Sequence, residues 1–319
     1  MKTAAIIAEY NPFHKGHKYQ IDHIRQSGFD YCIVLMSSDW VQRGAPALLS
    51  KYERTKMALL SGADMVLELP SYLSCASAKD FAYGAVSLLN HTGLVDSLCY
   101  GCESNDQAAC EGLSDFLAAS PKDFDRLMYS KLKEGMSYPR ARKAALSEYT
   151  LNGENLFTPS ELSYLDSPNN ILALEYNIAL KQTQSDITPL PLLRIGNAYH
   201  EDTLKEGSFA SATAIRSLLT PFCSNGHAAL SGAQTQTMDI LKEHIPGESL
   251  NILIENINNE ELHYEDQYSQ YLKYKLLTEN DFTIYKDVSE ALSDKINKKK
   301  FEFIGFTSFI ESLKSRDLT

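Results

Sequence analysis

His14 and His17 stand three residues apart with Gly16 between them, inside the run Glu9-Tyr10-Asn11-Pro12-Phe13-His14-Lys15-Gly16-His17. The residues from Gly16 onward read as a helix, which puts both imidazoles on one face of its first turn. A helix start attracts anions through its exposed N–H groups and the positive end of its dipole. Gly16 lacks the Cβ that would hold a phosphate away from the backbone. Two imidazoles at that place can donate hydrogen bonds to a phosphoryl group whose negative charge grows in the transition state. The pattern is neither a Walker A loop nor a G-x-G-x-x-G dinucleotide fingerprint. Metal ligation is the competing chemistry, but no H-E-x-x-H and no third ligand at the usual spacing accompany the pair. The remaining alternative is a pair of plain surface histidines.

The elements that must position this face come next. Thr3 to Ala8 (T-A-A-I-I-A) is apolar without alternation, as expected of a strand buried on both faces of a parallel sheet. Asn11-Pro12 breaks it, because proline lacks an N–H and restrains the preceding residue. Further strands are predicted at 31–37, 64–69, 97–100 and 190–195, with helices at 51–62, 76–90 and 171–180. Ser167-Pro168 supplies a cap and an N1 proline for the helix at 171–180. This alternation predicts an α/β fold with a parallel, doubly wound sheet. The polar loop Ser38 to Gly44, holding the single tryptophan Trp40, follows the carboxyl end of the second strand, where open sheets bind ligands. Residues 106–149 read as helical, and Phe209 to Leu219 opens another helix.

Beyond Pro221 a Ser/Asn/Gly loop leads to helical segments near 234–243, 252–277, 288–297 and 307–314. The expected division is therefore an α/β domain over 1–222 and a smaller helical domain over 223–319. Tyr264, Tyr268, Tyr271 and Tyr274 in that second part are read as core and interface filling rather than base-stacking residues.

Composition narrows the setting. The chain has 319 residues, 44% hydrophobic and 22% charged, which are ordinary globular values. No run of about twenty apolar residues occurs, and the first residues read as a strand rather than a signal peptide, so no membrane association is expected. Six scattered cysteines point to a reduced, cytoplasmic setting, and the lone Cys99-x-x-Cys102 makes a poor zinc site. A net charge of −11 argues against a generic nucleic-acid binder. Local basic clusters nevertheless exist at Lys131, Lys133, Arg140, Arg142 and Lys143, and at Lys295, Lys298, Lys299 and Lys300. On charge alone these are solvated helix faces.

Strand, then Asn-Pro-Phe-His-x-Gly-His, then helix resembles the H-x-G-H signature of adenylyl and cytidylyl transferases, which share a Rossmann-like nucleotidyltransferase fold. Those enzymes carry a second signature close to S-[ST]-T-x-[IL]-R, and this chain has Ser211-Ala212-Thr213-Ala214-Ile215-Arg216. More motifs are similar to one family within that group: Val41-Gln42-Arg43-Gly44, Tyr100-Gly101-Cys102-Glu103, Pro168-Asn169-Asn170-Ile171-Leu172, and Arg194-Ile195-Gly196 through Tyr199-His200. Together they resemble the bacterial tRNA(Met) cytidine acetate ligases over essentially the whole chain.

The resemblance implies ATP-dependent activation of acetate to acetyladenylate and pyrophosphate, then acetylation of the wobble cytidine of elongator tRNA(Met). It implies that His14, His17 and Arg216 meet the charge on the phosphoryl oxygens, with magnesium shielding the pyrophosphate. No protein nucleophile is required, so catalysis is positioning plus electrostatics. It further implies that Ile7, Ala8, Glu9, Tyr10, Asn11, Pro12, Phe13, His14, Lys15, Gly16, His17, Lys18, Tyr19 and Gln20 line the ATP. Gly101 would let nucleotide approach the strand end, and Asn169 and Arg194 would complete the nucleotide site. Without the resemblance, Asn169 reads equally well as a helix cap. Ser211 and Thr213 would offer hydroxyls to the phosphates. Arg140, Arg142, Lys143, Lys298, Lys299 and Lys300 would be the anchors for tRNA phosphates.

Departures from the family pattern are small within the domain: Ser37-Ser38-Asp39-Trp40 for a Ser-Gly-Asp-Phe-like run, Ala45 for a glutamate, and Cys102 for a serine. The family continues past the position of Thr319 into a basic segment, so a shortened homologue that adenylates but modifies tRNA weakly is one expectation. The main alternative function is a small-molecule nucleotidyltransferase of the phosphopantetheine or nicotinate mononucleotide type. A non-catalytic ATP- or RNA-binding module is the third, disfavoured because both histidines and Arg216 are intact.

Overall fold

The structure, a computed structural model, describes residues 1–104, 106–152, 156–194, 210–224 and 232–314. In chain order its first half runs β1 (Thr3–Ala8), α1 (Lys15–Gln26), β2 (Tyr31–Ser37), α2 (Lys51–Leu60), β3 (Met65–Leu69), the short α3 (Ser71–Ser74), α4 (Ala78–Thr92) and β4 (Ser97–Cys102). Five helices precede the last strand: α5 (Gln107–Ala119), α6 (Lys122–Lys133), α7 (Tyr138–Asn152), the short α8 (Pro159–Leu162) and α9 (Pro168–Gln182). After β5 (Thr188–Leu193) come α10 (Ala212–Ser224), α11 (Gly232–His244), α12 (Gly247–Asn258), α13 (Ser269–Thr278), α14 (Glu290–Lys299) and α15 (Phe306–Leu313).

All five strands are parallel, in the order β3-β2-β1-β4-β5. The direction of winding reverses between β1 and β4, which opens a crevice at their carboxyl ends. Because successive side chains point to opposite faces, β1 feeds two cores. Ala4 and Ile6 join α1, α2, α10, α11 and α12 on one face. Ala5 and its neighbours join α4 and α9 on the other. The last predicted strand starts two residues earlier than expected and ends at Leu193, two residues short of Ile195. Its prolines, Pro189 and Pro191, are tolerated for a directional reason. The even-numbered residues Thr188 and Arg194 donate their N–H groups to Asp96 and Cys102, so the odd positions face the open edge. Proline there removes no ladder bond and blocks pairing with another strand.

The helices between β4 and β5 form their own apolar cluster around Leu113, Ala141, Leu146 and Leu174. The expected division at residue 222 falls inside a single core. Leu241 of α11, Ile245 just after it, and Leu250 and Leu253 of α12 are packed in the same cluster as β1 and β2. Only the region from Leu276 through Leu313 gathers a separate small cluster, with Phe282, Phe303 and Phe309. The tyrosine expectation also changes. Tyr271 and Tyr274 are 75% and 70% exposed, whereas Tyr264 is half-buried and Tyr268 packs on Trp40, at 4.9 Å between ring centroids. No helix among the described residues is long and apolar enough to cross a membrane.

Candidate active site

Between Ala8 and the start of α1 the chain makes a tight turn. Tyr10 holds φ +48°, a left-handed conformation that costs a non-glycine residue about 1–2 kcal/mol. Its ring is fixed by Phe13 at 4.8 Å and by His17 at 4.7 Å, and Phe13 is fully buried beneath both. This packing holds the turn and presents the two histidines above it.

His14 is itself the N-cap of α1. Its Nδ1 accepts the Gly16 N–H at 3.1 Å, and the Nδ1 of His17 accepts the His14 N–H at 3.2 Å. The arrangement is a capping box built from two imidazoles instead of a hydroxyl and a carboxylate. With each Nδ1 used as an acceptor, the proton of each neutral ring sits on Nε2. Burial pushes the His14 imidazole down to about 3, aided by the positive charges of Arg194, His244 and Arg216. Burial also holds His17 well below its ordinary range, with His14 and Arg194 adding to it. Both are therefore neutral Nε2–H donors at physiological pH. The Gly16 N–H serves His14.

The second signature meets the first directly. Arg216, on α10, donates from Nη1 to the Asn11 carbonyl at 2.7 Å and from Nη2 to Thr213 Oγ1 at 3.1 Å. Ser211 Oγ accepts the Ala214 N–H at 3.1 Å and so caps α10, leaving its O–H to point elsewhere. One cleft at the carboxyl ends of β1 and β4 is lined by Ile7, Ala8, Glu9, Tyr10, Asn11, His14, His17 and Gln20, together with Gly101, Asn169, Arg194, Ser211, Thr213 and Arg216. These are the predicted residues that the fold brings together.

Other predicted residues lie off the cleft. Phe13 is core, and Lys15 reaches the Lys242 carbonyl at 3.3 Å. Lys18 pairs with Asp22 along the outer face of α1, and Tyr19 packs on the sheet side. Pro12 and Gly16 shape the turn without lining the cleft. Asn169 does not cap its helix. It links Glu103 to Arg194, whose Nη1 approaches its Oδ1 at 3.4 Å. At Gly101 a Cβ would meet Arg194 Cγ at 3.2 Å, so this glycine makes room for the arginine stem. The motif portion Gly196 to His200 lies outside the described residues.

The sequence reading missed Arg54, Phe81, Leu172 and Tyr176. Phe81, Leu172 and Tyr176 give the cleft an apolar wall, and Gln42 stands beside them. Arg54 is fully buried. It donates to the carbonyls of Leu49 (3.0 Å), Glu9 (2.7 Å), Ser37 (3.0 Å) and Ser38 (2.5 Å), tying the ends of β1 and β2 together. Burial lowers it to about 10, so it stays a cation at neutral pH. A signal was present: Arg54 shares its helix face with Met57 and Ala58, at three- and four-residue spacing from an otherwise apolar set.

The basic residues expected to face tRNA divide sharply. Arg142 is buried and ion-paired with Glu175, and Lys300 is buried with its Nζ on the Glu279 carbonyl at 2.9 Å and Asn280 Oδ1 at 3.1 Å. Neither is a surface anchor, because each charge is already consumed inside the fold. Lys299 reaches the Ser312 carbonyl at 2.9 Å and Lys143 pairs with Asp166. Arg140 and Lys298 are exposed.

The model of the HIGH Nucleotidyl Transferase family matches residues 1–319. The chain is 37% identical over 318 residues to the tRNA(Met) cytidine acetate ligase of Clostridium novyi, covering 99% of this chain and 75% of that one. It is 35% identical over 323 residues to the protein of the same name from Acetivibrio thermocellus, covering 100% and 74%. Among solved structures, Thermotoga maritima TmcAL in its apo form I superposes with a TM-score of 0.88 at 30% identity, over 100% of this chain and 72% of that one. The Thermotoga maritima protein bound with alpha-thio ATP gives 0.85 at 29% identity, with the same coverage.

Proposed function

This chain belongs to the HIGH nucleotidyl transferases and, within them, to the tRNA(Met) cytidine acetate ligases, and from that premise we propose that it activates acetate with ATP and acetylates the wobble cytidine of elongator tRNA(Met). In the first half-reaction an acetate oxygen attacks the α-phosphorus and pyrophosphate leaves. The Nε2–H groups of His14 and His17 donate to the phosphoryl oxygens, and Arg216 adds positive charge from the opposite wall. Ser211 and Thr213 supply hydroxyl donors, and Arg194, set by Asn169, completes the nucleotide end of the cleft. Phe81, Leu172 and Tyr176 offer an apolar wall to the acyl group and base. Magnesium, where bound, would shield the charge of the departing pyrophosphate. The described lining contains a single carboxylate, which suits an ion held mainly by phosphates and water rather than by a protein cage. In the second half-reaction the cytidine amine takes the acetyl group and AMP departs. Of the six cations that the resemblance assigns to tRNA, Arg140 and Lys298 are the exposed ones and would attract its phosphates, and a tRNA substrate suits a cytoplasmic protein.

The observation that carries this reading is the Arg216 bond to the Asn11 carbonyl, which joins the two signatures across one cleft. ATP–pyrophosphate exchange tests it, with and without acetate, beside His14→Ala and His17→Ala. Acetate-dependent exchange lost in both variants is the expected result. Exchange indifferent to acetate would overturn the ligase reading in favour of a nucleotidyltransferase acting on a phosphorylated small molecule.

A further inference from the structure

Arg194 reaches the cleft from the end of β5, and contacts along its whole length hold it. Its backbone N–H donates to the Cys102 carbonyl at 2.9 Å, continuing the β4–β5 ladder. Its stem crosses Gly101, where a Cβ would stand 3.2 Å from Arg194 Cγ. Its Nη1 approaches Asn169 Oδ1 at 3.4 Å. That last contact is only as well aimed as the Asn169 amide, whose terminal torsion is intrinsically broad.

Glu103 fixes that amide. Asn169 Nδ2 donates to Glu103 Oε1 from the other end of the same group. A carboxylate only accepts and a guanidinium only donates, so a single orientation of the amide satisfies both. Turned over, it would set oxygen against oxygen and N–H against N–H. Glu103 is anchored in turn through its backbone. The buried Asn170 accepts on Oδ1 the N–H groups of Glu103, at 2.8 Å, and of Ser104, at 3.2 Å. The consecutive asparagines at the start of α9 thus divide the work. Asn170 holds the turn after β4, and Asn169 carries its orientation across to β5. Glu103 itself does not line the cleft.

We propose that Glu103 is a positioning residue for ATP: it fixes the Asn169 amide, which in turn aims the Arg194 guanidinium at the nucleotide. The assignment rests on the reading above that Arg194 completes the nucleotide end of the cleft. An amide set between carboxylate and guanidinium orients the arginine without bringing those two charges together. A direct ion pair between them would offset the positive charge that the anionic nucleotide needs.

ATP affinity, measured by isothermal titration calorimetry without acetate on the full chain, tests this in a double-mutant cycle. Glu103→Ala keeps the backbone bonds to Asn170 and loses the carboxylate. Its Kd for ATP should rise about tenfold. Glu103→Gln, whose amide oxygen can still accept from Asn169, should stay within about threefold of wild type. Arg194→Ala should weaken ATP at least as much as Glu103→Ala, and combining the two should cost nothing further. In acetate-dependent exchange, Glu103→Ala should raise KM for ATP while kcat holds within about threefold, a split that damage to the fold would not give. An unchanged Kd in Glu103→Ala overturns the proposal, as does a loss that Glu103→Gln shares. Full additivity with Arg194→Ala overturns it too, because Glu103 would then act by another route. A wild-type chain without acetate-dependent exchange overturns the ligase reading, and the calorimetric cycle still decides the role of Glu103.

Discussion

The ring of His17 stacks on that of His14 at 3.7 Å between centroids, 24° from parallel, while its Nδ1 accepts the His14 backbone N–H. One side chain thereby caps the helix, sets the orientation of its neighbour and keeps its own Nε2–H for the substrate. The two duties are separable. His17→Gln can still reach back to the His14 N–H, as glutamine does in an ordinary capping box. It should keep the stability of the parent, whereas His17→Ala should lose about 1 kcal/mol in a urea melt. Both should lower the adenylation rate by about 100- to 1000-fold, the effect of removing one donor to a developing oxyanion.

The same burial predicts an acid-sensitive fold. His14 titrates at about 3 in the folded chain, below its ordinary 6.5, and His17 is lowered in the same direction. Between these values the unfolded chain binds a proton that the folded chain refuses. Their contribution is therefore intact above pH 6.5 and is lost as the pH falls toward 3, at up to about 1.4 kcal/mol per pH unit for each ring. Denaturation of the ligand-free protein at pH 7, 6 and 5 should show the decline, and His14→Asn with His17→Gln should flatten it.

Arg54 serves four carbonyls from inside the core, so removing it strands them. Arg54→Met should destabilise the fold by about 3–5 kcal/mol, with the end of β1 loosened enough to raise KM for ATP. Arg54→Lys keeps the charge but not the fork, and should fall between the two in the same urea melt.

Gly101 lies under the arginine that closes the nucleotide end. Gly101→Ala places a Cβ 3.2 Å from Arg194 Cγ, so the stem must yield by a few tenths of an ångström. Stability should change by less than about 1 kcal/mol while KM for ATP rises severalfold. Exchange kinetics over an ATP series would read the difference.

Arg142 and Arg140 sit two residues apart and should behave oppositely. Arg142→Met leaves Glu175 buried without its partner and should cost about 3–5 kcal/mol. Joint replacement with Glu175→Leu should recover most of it. Arg140→Ala should leave the melt unchanged and weaken tRNA binding, with a smaller salt dependence, in a filter-binding series.

The sequence by itself determined the strand–turn–helix that carries the histidines, the parallel winding of the sheet and the presence of a second phosphate signature. These are local matters: apolar runs, proline, glycine and three-residue spacing act within a turn or two of the chain. It also placed Asn169, Arg194 and Arg216 among the site residues, through resemblance rather than through any local rule.

Only the tertiary structure decided which charges are available. Arg142 and Arg140 look alike in sequence, yet one faces Glu175 across a helix packing and the other faces solvent. Arg54 passed unnoticed within its predicted helix, and only the fold brings four carbonyls from three separate segments onto it. The packing of α11 and α12 against β1 and β2 is a matter of the same kind, because no local pattern records which helices cover that sheet face. Spacing tells which side chains share a face. What that face meets depends on contacts between residues far apart in the chain, such as the 205 residues separating Asn11 from Arg216.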